Sequence, residues 1–230
     1  MVTSSADKHE SHKRINSFLE PWIKYHFFDP SAMVITMPAN SGRQERTLLS
    51  YIYSLEDKLG AEGQIGLYTC DRDYDALTCG IAKFFEDMCI CPVHSNKYWR
   101  HSVRDCVMDA IGALDKGPKA VWLDLTGGLT DKTRNKIQKA VKTFAHGSLL
   151  FTTLQVHGVR SLTGDEYARK VYSANSDTVN GKVIITDSLL KETVSSNDNQ
   201  YLRTMVAPQV YQHNTTTYAV YFHIVGEYGK

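Results

Sequence analysis

The chain has 230 residues and a formal net charge of +1, which gives no electrostatic footprint for nucleic acid or for an anionic membrane. Its apolar share of 42% is ordinary for a globular protein with a substantial core, and no apolar run reaches the length of a membrane span. The amino terminus is polar and lacks an apolar signal core. We therefore expect a cytoplasmic protein whose five cysteines are reduced thiols. No Cys/His spacing predicts a metal site.

The first half of the chain predicts alternating strands and helices. Residues 1–9 are expected to form a disordered tail, and residues 10–30 a helical extension that Pro21 breaks or kinks. The apolar spacing after this extension switches between the period of a buried strand and that of an amphipathic helix. The predicted elements are strand 33–37, helix 43–60, strand 64–70, helix 74–87, strand 89–93 and helix 97–114.

The second half continues the alternation and then changes. An apolar run over 120–125 predicts a fourth strand, and further helical segments are predicted within 164–180 and over 183–194. Two strand-like runs joined by a short polar link, 205–211 and 218–225, predict a hairpin. The sequence thus indicates an α/β protein with one domain over 31–230: a Rossmann-like, doubly wound, mostly parallel seven-stranded sheet with a C-terminal antiparallel β-hairpin. The other elements predicted here are a basic helix over 131–144 and a strand over 147–154.

Two aspartates end predicted strands, where ligands of open α/β sheets bind. Asp71 can accept both ribose hydroxyls of a nucleoside, or it can cap the helix that follows. Asp124 meets a glycine turn, where it can orient a nucleophile or remove its proton. It can equally contact a cofactor's amino group or cap the next helix.

Further candidates lie beyond the fourth and fifth strands. Arg160 can hold a phosphate or carboxylate of a substrate, and His157 is either its neighbour in the site or a structural histidine. The basic helix over 132–142 is a solvated face or a contact with nucleic acid. Its cationic residues are Lys132, Arg134, Lys136, Lys139 and Lys142.

Four short segments at the ends of predicted strands carry polar residues in a fairly specific order. The first leads into a glutamate early in the next helix, and the second places an acid at the end of its strand. The segments are Met37-Pro38-Ala39 with Glu45, Cys70-Asp71-Arg72-Asp73, Asp124-Leu125-Thr126-Gly127-Gly128-Leu129-Thr130, and Thr152-Thr153-Leu154 followed by Gly158-Val159-Arg160.

With these segments, residues 31–225 resemble class I S-adenosylmethionine-dependent methyltransferases. The likeness is closest to divergent methyltransferase-like proteins carried by phages and other mobile elements, which would place the protein in a host cytoplasm. The resemblance implies S-adenosylmethionine as the cofactor, with residues 38–42 under its methionine part and residues 94–96 at its adenine. Asp124 is the catalytic candidate, and Thr126, His157 and Arg160 are the substrate candidates. The implied cofactor-binding residues are Met37, Pro38, Ala39, Asn40, Ser41, Gly42, Glu45, Asp71, Arg72, His94, Ser95, Asn96, Asp124 and Leu125.

The resemblance implies methyl transfer to an unidentified acceptor, with nucleic acid slightly favoured. The first turn contains one glycine, Gly42, where the wider superfamily has a Gly-x-Gly run, and no Asn-Pro-Pro-Tyr box is present. This departure favours a first alternative, a methyltransferase-like fold that binds nucleic acid or protein without catalysis. A second alternative is a Rossmann-like enzyme that uses another nucleotide. The sequence predicts no oligomeric state.

Overall fold

A computed structural model describes residues 5–37, 43–71, 99–103, 117–125, 127, 137, 141–155, 177–179, 182–184, 200–213 and 216–227. Two helices and nine strands have defined bounds in this part of the chain. The helices are α1 (Ser5–Tyr25) and α2 (Arg43–Leu59). The strands are β1 (Met33–Thr36), β2 (Gly66–Asp71), β3 (Trp99–Val103), β4 (Lys119–Asp124), β5 (Leu149–Gln155), β6 (Asp177–Val179), β7 (Lys182–Ile184), β8 (Gln200–His213) and β9 (Thr216–Glu227).

Seven of the strands form one sheet in the order β3-β2-β1-β4-β5-β9-β8. β1 pairs in parallel with β2 and β4, and β2 pairs in parallel with β3. β9 is antiparallel to both β5 and β8. The predicted α/β architecture is thereby confirmed: a mostly parallel seven-stranded sheet ends in an antiparallel hairpin. The apolar run that meets Asp124 is β4, and it lies beside β1.

The chain divides into two compact units, one over Arg14–Trp122 and the other over Met1–Lys13 with Leu123–Lys230. In the Arg14–Trp122 unit, the buried helix positions recur at the three- and four-residue spacings of an apolar helical stripe. The strand residues Val34 and Ile35 are buried as well, as expected of a parallel sheet covered on both faces. The buried helix residues are Ile15, Leu19, Trp22 and Ile23 in α1, and Leu48, Leu49, Ile52 and Leu55 in α2.

In the other unit the core is built on β5 and β9. Residues 149–154 of β5 and 219–223 of β9 are buried without interruption, so both faces of these strands are covered. Phe151 and Phe222 lie opposite each other and meet edge to face, with ring centroids 5.9 Å apart. Ile137 and Val141 are helical and buried at a four-residue spacing, in keeping with the predicted basic helix.

α1 departs from its predicted bounds. It begins at Ser5, five residues before the predicted start of the helical extension, and it continues through Pro21, where the sequence predicts a break or kink. Pro21 is exposed, whereas Leu19 and Trp22 on either side of it are buried. Packing of the apolar stripe therefore outweighs the one backbone hydrogen bond that a proline removes.

Two strands lie where the sequence predicts helices, and both predictions are wrong there. β3 (Trp99–Val103) falls inside the segment predicted as helix 97–114, and β7 (Lys182–Ile184) overlaps the first two residues of the segment predicted as helix 183–194. Val103 shares a helical spacing with later apolar residues, but backbone pairing with β2 overrides that pattern. β7 is paired with β6 in a separate two-stranded antiparallel sheet.

The position of β3 removes one argument for placing residues 94–96 at the cofactor's adenine. That argument requires them to follow the strand that pairs with β2, whereas in the chain they precede it. The predicted helix 74–87 and strand 89–93 lie outside the described residues. Within the described part of the chain, neither helix is both long enough and apolar enough to cross a membrane.

Candidate functional site

The carboxyl end of β1 is joined to the first turn of α2 by a buried polar pair. The hydroxyl of Thr36, the last residue of β1, donates a hydrogen bond of 2.7 Å to Oε1 of Glu45. Both residues are buried, with exposed fractions of 0% for Thr36 and 1% for Glu45. A carboxylate in the first turn also faces the positive end of the helix dipole, which explains why α2 tolerates it there.

The Glu45 carboxyl group is only partly satisfied. Its Oε2 is buried and has no hydrogen-bond partner among the described residues. Burial raises the pKa of Glu45, and the hydrogen bond from Thr36 opposes that rise without cancelling it. A buried acid with one unpaired oxygen is suited to receive a hydrogen bond from a ligand, above all from a cationic one.

The start of α2 is held in place by a second contact. The side-chain amide of Gln44 donates to Oδ1 of Asn16 in α1, and Gln44 is itself buried. At the other end, α2 stops at Gly60, whose φ of 60° is the left-handed conformation that commonly ends helices. The Glu45 carboxyl group is thus carried by a helix anchored to both α1 and β1.

Asp71 is the last residue of β2, as the sequence predicts. β1 and β2 are paired with Thr36 opposite Thr69, so Asp71 lies two residues beyond the end of β1. Its backbone is paired with Val103 of β3. Met37 follows β1 directly and is half-buried. The Arg14–Trp122 unit therefore contains Met37, Glu45 and Asp71 around the carboxyl ends of β1 and β2.

Asp124 is the last residue of β4 and is half-buried. The backbone N–H of Leu125 donates to the carbonyl of Thr153 in β5, which fixes the chain immediately after Asp124. The Asp124 carboxylate helps to raise the pKa of the Tyr211 hydroxyl, although burial of that hydroxyl is the larger cause. Asp124 and Leu125 belong to the unit that contains Leu123–Lys230.

Two tyrosines that the sequence reasoning missed are Tyr211, whose hydroxyl is affected by the Asp124 charge, and its neighbour Tyr218. They are stacked, with ring centroids 5.5 Å apart and an interplanar angle of 20°. The signal was present in the sequence: the two tyrosines are placed symmetrically about the hairpin turn, so a short turn puts them opposite each other.

The remaining site candidates lie outside the described residues and stay predictions. The basic helix is described in part only, and of its five cationic residues Lys142 is described and exposed. Among the residues that the structure covers, no group of His, Cys, Asp and Glu could hold a metal ion. The candidates outside the described ranges are Pro38, Ala39, Asn40, Ser41, Gly42, Arg72, His94, Ser95, Asn96, Thr126, His157 and Arg160.

Comparison with known proteins bears on the fold. No protein-family model matches the sequence, and no curated protein matches it. The chain is structurally similar to the N-methyltransferase NodS from Bradyrhizobium japonicum WM9, with 11% identity, a TM-score of 0.51, and 97% of this chain and 98% of that chain covered. It is equally similar to 1,6-didemethyltoxoflavin-N1-methyltransferase from Burkholderia thailandensis, with 10% identity, a TM-score of 0.51, and 98% and 80% covered.

These similarities extend over nearly the whole chain and are at the level of fold alone, because the sequence identities are so low. The protein has the Rossmann-like fold of class I S-adenosylmethionine-dependent methyltransferases, with its seven-stranded sheet and reversed C-terminal strands.

Proposed function

We propose that the protein is an S-adenosylmethionine-dependent methyltransferase. A fold by itself does not define a function, so the proposal needs support from a site. The observation that carries it is Glu45, a buried acid with one unpaired oxygen beside the carboxyl end of β1. Open α/β sheets bind their ligands at the carboxyl ends of the strands.

In this proposal the carboxyl ends of β1 and β2 hold the cofactor. The Glu45 carboxylate accepts a hydrogen bond from the cofactor's ammonium group, which supplies the partner that Oε2 lacks. Asp71, at the end of β2, accepts the two ribose hydroxyls. Residues 38–42 pass under the methionine part, and residues 94–96 contact the adenine.

Methyl transfer requires little acid–base catalysis by the protein, because the sulfonium of S-adenosylmethionine is already activated. Holding the acceptor in line with the methyl group supplies most of the rate. Asp124 orients the acceptor or takes its proton. The acceptor that the sequence favours is nucleic acid, bound through the basic helix over 132–142 and through Thr126, His157 and Arg160.

The activities named for the two structurally similar proteins support the choice of S-adenosylmethionine as the cofactor. Both are named N-methyltransferases, and the Burkholderia thailandensis protein was solved with S-adenosylhomocysteine bound. S-adenosylmethionine and S-adenosylhomocysteine are therefore the first ligands to test on this chain.

The assay is isothermal titration calorimetry of the full chain with S-adenosylhomocysteine, for the wild type and two variants. Asp71→Ala is expected to weaken binding about tenfold or more, because a charge-assisted hydrogen bond contributes about 1.5–3 kcal/mol. Asp57→Ala, at an exposed position of α2, is the matched control and is expected to bind like the wild type. Wild-type affinity in Asp71→Ala would contradict the placement of the ribose.

A second assay separates an enzyme from a binding protein. Radiolabelled S-adenosylmethionine is incubated with the full chain and with single-stranded RNA or DNA, and transfer of the label to the nucleic acid is counted. The proposal predicts transfer that Asp124→Asn reduces by about a hundredfold or more, within the usual contribution of an acid–base group. Tight cofactor binding without transfer to any acceptor would favour the non-catalytic alternative.

A further inference from the structure

Two tyrosines stack beside the end of β5. Tyr218 in β9 is paired with Gln155 in β5 and with Tyr211 in β8, so the three residues form one row across adjacent strands. Directly opposite residues of antiparallel strands share a face of the sheet. The stacked rings, 5.5 Å apart, therefore stand on the same face as Gln155. Tyr211 is buried and Tyr218 is half-buried.

Asp124 brings a carboxylate to the end of β4, beside the end of β5. The end of β4 is tied to β5 by the hydrogen bond from the Leu125 N–H to the Thr153 carbonyl. The N–H of Gln155 then donates to the Gly127 carbonyl, so the turn after β4 also follows the end of β5. The Asp124 charge is close enough to help raise the pKa of the Tyr211 hydroxyl. A tyrosine hydroxyl is protonated at neutral pH, so Tyr211 can offer a hydrogen-bond donor.

Gln209 supplies an unused hydrogen-bond acceptor on the same face. It lies two residues before Tyr211 in β8, in a stretch where the pairing with β9 is regular, so it shares the face of Tyr211. Its Oε1 is buried and has no hydrogen-bond partner among the described residues. A buried polar oxygen without a partner costs about 1–3 kcal/mol. A ligand that donates an N–H to this oxygen would remove that cost.

The tyrosine cluster, defined as Asp124, Gln155, Gln209, Tyr211 and Tyr218, thus combines flat aromatic surface with hydrogen-bond acceptors. We propose that it binds the methyl acceptor, and that this acceptor is a planar nitrogen heterocycle with at least one N–H. This inference rests on the methyltransferase function proposed above. Tyr218 offers its ring for stacking, the Gln209 Oε1 accepts one N–H, and the Asp124 carboxylate accepts the N–H of the nitrogen to be methylated.

The chemistry balances with these groups alone. The lone pair of the acceptor nitrogen forms a bond to the methyl carbon of S-adenosylmethionine while the carbon–sulfur bond breaks. The electrons of that bond remain on sulfur, which becomes the thioether of S-adenosylhomocysteine. The proton of the nitrogen passes to the Asp124 carboxylate and from there to water.

The test measures heterocycle binding by the full chain saturated with S-adenosylhomocysteine. The probes are adenosine, guanosine, cytidine and a single-stranded RNA oligonucleotide of mixed sequence, titrated by calorimetry. Tyr218→Leu is expected to weaken binding of the recognised probe about 5- to 150-fold, because stacking of a base on an aromatic side chain contributes about 1–3 kcal/mol. Gln209→Met keeps a similar volume without the acceptor oxygen and is expected to weaken binding about 5-fold or more.

Three controls keep the result interpretable. Tyr218→Phe retains the ring and is expected to bind like the wild type. Tyr25→Leu makes the same change as Tyr218→Leu at a tyrosine that is 84% exposed on α1, and it is expected to have no effect. The affinity for S-adenosylhomocysteine should be unchanged in every variant, which shows that the variants are folded and that the cofactor site is intact.

The outcomes separate the two proposals. If the wild type binds no S-adenosylhomocysteine, the methyltransferase function fails and the acceptor assignment fails with it. If the cofactor binds but no probe binds with a Kd below about 1 mM, or if Tyr218→Leu binds its probe like the wild type, the acceptor assignment alone is overturned. Binding of a free nucleoside supports a small heterocycle as the acceptor. Binding of the oligonucleotide alone, weakened by salt, supports a base in nucleic acid.

Discussion

Replacement of Glu45 by glutamine is the sharpest test of the cofactor site. The variant keeps one oxygen that can accept the hydrogen bond from Thr36, and its amide N–H₂ then takes the place of Oε2. The negative charge is lost. A charge-assisted hydrogen bond contributes about 1.5–3 kcal/mol. Because one Glu45 oxygen is already bonded to Thr36, the variant is expected to lose one such interaction with the cofactor's ammonium group. The expected loss of affinity for S-adenosylmethionine is about 10- to 150-fold.

The assay is calorimetric titration of Glu45→Gln with S-adenosylmethionine, together with a thermal unfolding curve of the ligand-free variant. Burial raises the pKa of Glu45, so the ionised carboxylate opposes folding at neutral pH and its removal should not lower the melting temperature. Glu62→Gln makes the same change at an exposed glutamate and serves as the matched control. A folded Glu45→Gln variant with wild-type affinity would refute the reasoning and leave Glu45 as a purely structural partner of Thr36.

The remaining predictions concern stability. The folded pKa of Glu45 is raised, so its contribution to stability is present below its ordinary pKa of 4.5 and is lost as pH rises through the raised value. The urea stability of the wild type relative to Glu45→Gln should therefore fall as the pH rises above 4.5. A Cβ at Gly117 would collide with the backbone carbonyl of Ser31, so Gly117→Ala should cost about 1–3 kcal/mol, or roughly 2–4 °C of melting temperature per kcal/mol. Gly127→Ala, where a Cβ would meet no atom of the described residues within 4 Å, should change the melting temperature little, and equal effects at the two glycines would contradict the packing. Phe222→Ala empties a fully buried site and should cost about 3–5 kcal/mol by urea unfolding, and a loss below about 1 kcal/mol would contradict its place in the core.

The sequence predicts the central strands well because each carries its own signal. β4 is a short apolar run that ends at an acid and a glycine turn, a pattern typical of a strand covered on both faces. α2 has its apolar residues on one stripe and a glycine directly after its last turn, so both its type and its bounds can be predicted. For both β4 and α2, the local sequence is sufficient to predict the type of element.

β3 could not be predicted in the same way. It contains Arg100, His101 and Ser102, which give no apolar strand signal, and its last residue also fits a helical spacing with residues further along. Its strand conformation comes from backbone hydrogen bonds to β2, which no local pattern encodes.

The candidate site also has features that local sequence predicts and features that depend on tertiary packing. The sequence identifies Glu45 and Asp71 by their places after strands, but it gives no sign that the Thr36 hydroxyl is bonded to Glu45, because that contact depends on how α2 packs against β1. Tyr211 and Tyr218 could have been paired from sequence only if the length of the hairpin turn had been known, since the turn sets the register of the two strands.

The central claim is that this chain binds S-adenosylmethionine, and calorimetric titration of the wild-type protein tests it most directly. S-adenosylmethionine, S-adenosylhomocysteine, ATP and NAD⁺ are titrated in turn into the full chain. The account predicts saturable binding of the first two with Kd values well below about 1 mM, and no comparable binding of ATP or NAD⁺. Absence of binding by both S-adenosyl compounds at millimolar concentration, or preferential binding of ATP or NAD⁺, would contradict it.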